Sequence, residues 1–196
     1  MPDNQRVVRL LLDFDQAISW PETKRVTSKA LLFFDDNFSL ERISITLIDR
    51  SNQHFEVFTR DTTVPHLSTG DMHPISQLHN TPESHKNKAK YYSNLSAISK
   101  PTSTITALMD AGVQSFFDVP LLIGDEVVGS INIGSRQPEG IPEDIREIVV
   151  LLTSRLSLAL YHARLHDELK EKEIALETSE KSYRELIDQA ADVILK

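Results

Sequence analysis

The sequence predicts an α+β domain in which antiparallel hairpins form a sheet, with helices behind it, a cavity in front and one long helix after it. Three observations predict this. Residues 114–136, QSFFDVPLLIGDEVVGSINIGSR, are two β-branched and aromatic runs broken by Gly124-Asp125, the signature of a hairpin. Their alternate positions differ: Phe117, Val119, Val127, Ile131 and Ile133 share an apolar face, while Phe116, Asp118, Ser130 and Asn132 share a mixed one. Finally, from Ile141 to about Lys181 the only Gly or Pro is Pro142 at the start, as a single helix of some forty residues requires.

The remaining elements follow in chain order. Residues 4–19 carry Val7, Val8, Leu11, Leu12, Phe14 and Ile18 at helical spacing. Pro21 suits the first turn of a second helix, 22–36, with Val26, Ala30, Leu31, Phe33 and Phe34. Residues 41–50, ERISITLIDR, alternate Ile43, Ile45 and Leu47 against Ser44, Thr46 and Ile48. Ser51-Asn52 turns the chain into 53–60, with Phe55, Val57 and Thr59 on one side, so these strands form another hairpin. From Asp61 to about Lys100 the pattern dissolves among Pro65, Gly70, Pro74 and Pro82. Such a segment in a compact domain is usually functional or disordered. Within it, 89–96 reads as a short edge strand. Residues 102–111 read as a helix capped by Thr102 or Ser103 and ended by Gly112.

In the last element, residues 145–160 are apolar nearly all round and are expected to pack on the sheet. Beyond them the apolar stripe narrows to a heptad seam. Leu151, Leu158 and Leu165 recur at seven, interleaved with Leu169, Leu176 and Tyr183; Lys172 and Ser179 are its polar interruptions. Charged residues surround the stripe, so a parallel homodimer joined through the terminal helices is expected.

Composition narrows the function. Of 196 residues, 40% are hydrophobic and 26% charged, ordinary for a globular protein. The net charge of −8 argues against a broad nucleic-acid-binding surface. Cysteine is absent, which rules out disulfides, thiolate catalysis and cysteine zinc sites within this chain. No uninterrupted apolar run of membrane-spanning length occurs, and Arg9, Asp13 and Asp15 spoil a secretory signal, so a cytoplasmic location away from membranes is expected. GxxxxGK[ST], GxGxxG and GxSxG are all missing, and no catalytic constellation is visible. His66, His73, His79 and His85 fall within twenty residues, but in a Pro-broken loop without HExxH spacing, so no metal site is expected.

With Ala111-Gly112-Val113, Ser115, Val119-Pro120-Leu121 and Val128-Gly129 in these places, the chain resembles a GAF domain over residues 6–165, least in 61–100. Residues 179–196, SEKSYRELIDQAADVILK, resemble the opening of a PAS domain, stopping where its first strand would begin. Together the resemblances imply a GAF-like sensory domain, 1–165, made of N-terminal helices (4–36), sheet and lid (41–136) and packing helix (141–165). A coiled-coil linker, 166–182, and a truncated PAS start, 183–196, complete the expected segment of a longer signalling protein. The family's strand order puts Thr46, Asn132 and Asp118 on three adjacent strands, facing a small-molecule pocket roofed by the irregular segment.

Asp118 heads the candidate ligand-binding residues, with Ser44, Thr46, Ser130, Asn132, Phe116, Tyr92 and His73 around it. A carboxylate amid SFF and VPLL must be paired if buried. Three readings stand: hydrogen bonding to a ligand, a solvent-facing place on the strand, or satisfaction by backbone N–H groups. Covalent bilin attachment needs the family's cysteine, which is absent; the NKFDE signature of cyclic-nucleotide GAF domains is absent too, leaving the cofactor unknown and non-covalent haem open. His162 and His166 lack the sequence around a phosphoacceptor and read as exposed helix residues. The function expected is therefore non-enzymatic: a sensor that binds an unidentified small molecule and signals through a dimeric helix to a PAS and output domain of a kinase, cyclase or transcriptional activator. The alternative is a ligand-free GAF fold acting as a dimerisation spacer.

Overall fold

Strand alternation decides the architecture, because it gives the sheet two faces that must both be covered. The computed structural model describes residues 4–49, 51, 53–78 and 88–194; the expected turn residue Asn52, His79, His85 and residues 195–196 lie outside the described residues. Two helices, α1 (Asn4–Ala17) and α2 (Thr23–Asn37), precede strands β1 (Arg42–Asp49), β2 (His54–Thr59), β3 (Met72–Pro74) and β4 (Lys90–Tyr92). Helix α3 (Ser103–Asp110), the hairpin β5 (Ser115–Ile123) and β6 (Glu126–Ser135), and helix α4 (Glu143–Ile194) follow. The strands form one antiparallel sheet in the order β3-β2-β1-β6-β5-β4. The three-residue strand β3 carries too little alternation to be read from sequence, and its Pro74 is tolerated at the sheet edge.

On one face, Ile43, Ile45, Phe117, Val119, Leu121, Ile131 and Ile133 pack against Phe14, Phe34, Ile148, Leu152 and Leu156 of the three long helices. Burial of each such side chain stabilises the fold by about 1.5–3 kcal/mol. The apolar face of the β5–β6 hairpin thus has α4 as its cover, as the sequence of 145–160 leads one to expect. In α1 the buried line is Leu10 and Phe14, continued by Ile18 just past its end, while Val8 and Leu12 are exposed, so the helix is rotated relative to the stripe expected from its sequence. Pro21 precedes Glu22, the residue before α2, and lies outside the first turn.

The expected face of Val127 is corrected. Leu121 pairs with Gly129 but Leu122 pairs with Val127, so β6 holds one extra residue, Val128. That bulge reverses the alternation toward the turn. Val128 packs with the helix-side core, and Val127 is buried on the opposite face with Phe116 and Phe55. The turn itself closes on Gly124 at φ 60, the positive φ that a type II′ hairpin needs at its first central residue.

At the bulge β6 comes close to β1: a Cβ on Gly129 would stand 2.1 Å from the Thr46 carbonyl oxygen. This is the physical reason for the Gly in the Val128-Gly129 pair. On the hairpin side of the bulge, the Leu122 N–H donates to Ser157 Oγ of α4 at 3.0 Å, and Ser157 in turn donates to the Thr153 carbonyl.

Helix α4 spans 52 residues, past the expected end near Lys181, and runs unbroken through 165/166 and 182/183. Part of it is long and apolar enough by composition to cross a membrane, although no uninterrupted apolar run of that length occurs. About 44% of that stretch is nevertheless buried within the protein, as in the core helix of a sheet-and-helix domain.

Gly129→Ala is expected to destabilise the domain by about 3 kcal/mol, because backbone rather than a flexible side chain must yield. Urea unfolding checks this; a change below about 0.5 kcal/mol would show that β1 and β6 part easily.

Candidate functional site

Antiparallel register brings the polar residues together. Ser44 of β1 stands opposite Asn132 of β6, which stands opposite Asp118 of β5. Residues directly opposite share a face, so one polar row crosses three strands. Thr59 extends it on β2 and Lys90 on β4. The adjacent row pairs Thr46 with Ser130. The family strand order, β1 beside β6 beside β5, is present, and with it the convergence of Thr46, Asn132 and Asp118.

These rows floor a cavity of about 50 Å³. Ser44, Thr46, Phe116, Asp118, Ser130 and Asn132 line it, as expected, together with Arg42, Phe55 and Val57 of the same face. Its roof is Thr104, Ile105 and Leu108 of α3, with Leu67 and Leu78 from the irregular segment. Thr104 Oγ1 donates to the Gln77 carbonyl at 2.7 Å, tying α3 to the 3-10 turn Ile75–Gln77. The cavity has room for a few waters, well below the several hundred Å³ of a typical metabolite site.

Part of the polar lining is internally bonded. Thr46 Oγ1 and Ser130 Oγ are 2.8 Å apart, and Asn132 Nδ2 donates to Ser130 Oγ at 3.1 Å. Asp118, 4% exposed, sits between Asn132 and Lys90 in the row, beside this chain of bonds.

Two expected site residues do not line the cavity. Tyr92 lies on the Phe116 side of β4, but its ring packs beside Phe116, with centroids 6.5 Å apart. His73 pairs with Phe55, and its ring lies 5.3 Å from that phenyl group. Each of them thus packs on a phenylalanine that itself lines the cavity. Tyr91 points to the helix side instead, with the Arg146 guanidinium 4.1 Å from its ring centre.

Sequence reasoning missed the ion pair at the cavity's end. Buried Arg42 donates to Asp61 Oδ2 at 2.6 Å and to the Leu67 carbonyl at 3.0 Å. Strand parity placed Arg42 with Ser44 and Thr46, so its direction was legible; its partner nineteen residues on was not. Burial pushes the Asp61 pKa up, but hydrogen bonds from Thr63 and Arg42, with the Arg42 charge, outweigh this and hold it below the ordinary 3.8. The pair clamps the loop that brings Leu67 over the cavity.

No family model matches the chain, and no curated protein matches its sequence. Solved structures do. The chain is similar to the GAF domain of an Acinetobacter phosphoenolpyruvate-protein phosphotransferase, with TM-score 0.67 and 18% identity, over 86% of this chain and 99% of that one. The GAF domain of a phosphoenolpyruvate-protein phosphotransferase from Coxiella burnetii gives TM-score 0.65 and 11% identity, over 85% and 99%. The chromophore-binding domain of an unusual bacteriophytochrome from R. palustris gives 0.63 and 12%, over 85% of this chain and 64% of that one. The fold is therefore α+β and GAF-like: a six-stranded antiparallel sheet between helices, extended by a long C-terminal helix.

Asp61→Ala should cost about 3 kcal/mol by leaving the buried Arg42 charge without its partner. Because the folded pKa is depressed, the stabilisation is present above the unfolded value and is lost as pH falls below 3.8 through the folded value. Urea unfolding at neutral pH and near pH 3 should show this acid sensitivity reduced in Asp61→Asn; equal pH slopes in both proteins would contradict it.

Proposed function

We propose that this chain is a non-enzymatic regulatory module, in which the state of a polar GAF cavity biases the long helix on the other side of the sheet. The observation that carries this reading is the division of the sheet. Asp118, Asn132, Ser130, Thr46 and Ser44 look into the cavity, while Phe117, Val119, Ile131 and Ile133, interleaved on the same strands, pack beneath α4. A shift of β5 or β6 is therefore felt on both sides. The ligand is a small molecule held non-covalently, admitted by displacement of the roof formed by Leu67, Leu78 and α3. It can drive the module only by favouring one sheet–helix packing over the other.

The output surface is the outer face of α4, from the packed stretch to beyond the domain. Leu158, Leu165, Leu169, Leu176 and Tyr183 are exposed, Leu169 and Leu176 at 67% and 62%. A narrow seam with charge on both sides is the pattern of a coiled coil, and a second copy of this chain in parallel is the partner. Residues 183–196 lead from there toward a PAS and output domain in a cytoplasmic signalling protein of the two-component kind. The PAS-like sequence supports that context, and the GAF-fold neighbours are commonly sensory or regulatory modules.

The size of the cavity and the Thr46–Ser130–Asn132 bonds favour a second reading, a ligand-free dimerisation spacer. One experiment separates the two. The protein at tens of micromolar, about where a weak coiled coil associates, is sized by light scattering and then screened by thermal shift against cytosolic metabolites. The sensor reading expects a dimer and a metabolite shift of several degrees that is lost in Asn132→Leu. A dimer with no metabolite shift selects the spacer, and a monomer contradicts both.

A further inference from the structure

Helix α4 leaves the domain within little more than one turn. Among its described side chains Ala163 is the last buried one, Asp167 is half-buried, and every one from 168 to 185 is exposed. At that exit Asp167 Oδ2 accepts the backbone N–H of Thr23, 3.0 Å away and 144 positions earlier in the chain. Thr23 opens α2, so its N–H is one of the donors that a helix cannot satisfy internally. Glu22, in the capping position, makes no side-chain capping bond. The cap comes from another helix, and as a carboxylate it also meets the favourable end of the α2 dipole.

Among the described residues, two other hydrogen bonds join α4 to the domain, besides the Arg146 guanidinium stacked on Tyr91. Arg155 reaches Asp15 of α1 at 3.3 Å, an exposed pair of little energetic weight. Ser157 holds the Leu122 amide at the hairpin bulge, deep in the packed region. Only Asp167 lies beyond the last buried side chain. Among the described residues no hydrogen bond or ion pair ties α4 to the domain downstream of it, and upstream of it packing holds the helix.

We propose that Asp167 is a latch that sets where α4 departs from the domain. Closed on Thr23, it holds the helix down as far as residue 167. Open, it leaves α4 held only as far as Ala163, four residues earlier, or about 6 Å of helix rise. The latch makes the α1–α2 corner a second input to the helix. That corner carries Trp20, stacked under the Arg25 guanidinium at 4.2 Å, and its movement reaches α4 through Thr23 without passing through the sheet. The inference rests on the reading of α4 as the relay, since it locates where the free helix begins.

The test is amide hydrogen exchange by NMR on the whole chain as wild type, Asp167→Ala and Asp167→Asn. In Asp167→Ala the Thr23 amide and those of residues 164–168 should exchange about five-fold faster, the equivalent of one capping bond. Amides of β1 and β6 should not change. Alanine is the stronger helix former, so faster exchange in α4 cannot come from intrinsic propensity. Asp167→Asn keeps an acceptor oxygen and should stay nearer to wild type. Acceleration confined to α2 would make Asp167 a cap of that helix alone and overturn the latch. Equal acceleration across the sheet, or asparagine behaving as alanine, would overturn it as well. Since exchange is read without ligand and at a measured oligomeric state, failure of the latch is distinguishable from failure of the relay.

Discussion

The β1–β6–β5 pairing is the constraint on which the rest depends. Both faces of these three strands are covered, so each strand must send alternate side chains into two unlike environments. Helices pack one face with aliphatic and aromatic groups. On the other face a smaller apolar cluster surrounds the row Ser44, Asn132 and Asp118. A one-residue slip would exchange the two sets, burying hydroxyls and a carboxylate under α4 and turning isoleucines into the cavity. The register is therefore fixed by a cost on both faces. The one place where alternation breaks, at Val128, is held by Gly129 against Thr46 and lies beside the Leu122 amide that Ser157 accepts.

That arrangement gives the long helix two kinds of attachment. Through Ile148, Leu152 and Leu156 it is part of the core and unfolds with it. Through Ser157 and Asp167 it holds two backbone amides, one from the hairpin and one from the start of α2. Packing contacts shift by small amounts, whereas a hydrogen bond to a single amide is made or broken. One of these bonds fastens the helix to the sheet and the other to the α1–α2 corner. The Arg42–Asp61 clamp has the corresponding role on the cavity side, where it secures the loop that carries Leu67.

Much of this was legible in the sequence because its periods are local. The two hairpins, the helix covering 145–160 and the heptad leucines follow from spacing alone. Adjacency of Thr46, Asn132 and Asp118 required the family's strand order, since pairing across ninety residues leaves no mark on composition. The bulge at Val128 leaves no mark in the sequence, because unbroken alternation reads equally well and puts Val127 on the helix side. Tyr92 and His73 had the right parity but not the reach. The partners Asp61 and Asp167 were not legible at all: a single acidic residue on a surface looks the same whether it meets solvent, an arginine or a helix N-terminus.

In the proposed module the cavity face and the long helix are coupled across the sheet. The most direct measurement of this coupling is amide exchange along α4 in a protein whose polar row is broken by Ser130→Val. This substitution removes the hydroxyl shared by Thr46 and Asn132. Coupling predicts altered protection at Leu122 and at residues 153–167 of α4, on the opposite face from the substitution. Exchange in α4 that matches wild type, with changes confined to β1, β6 and α3, would contradict it.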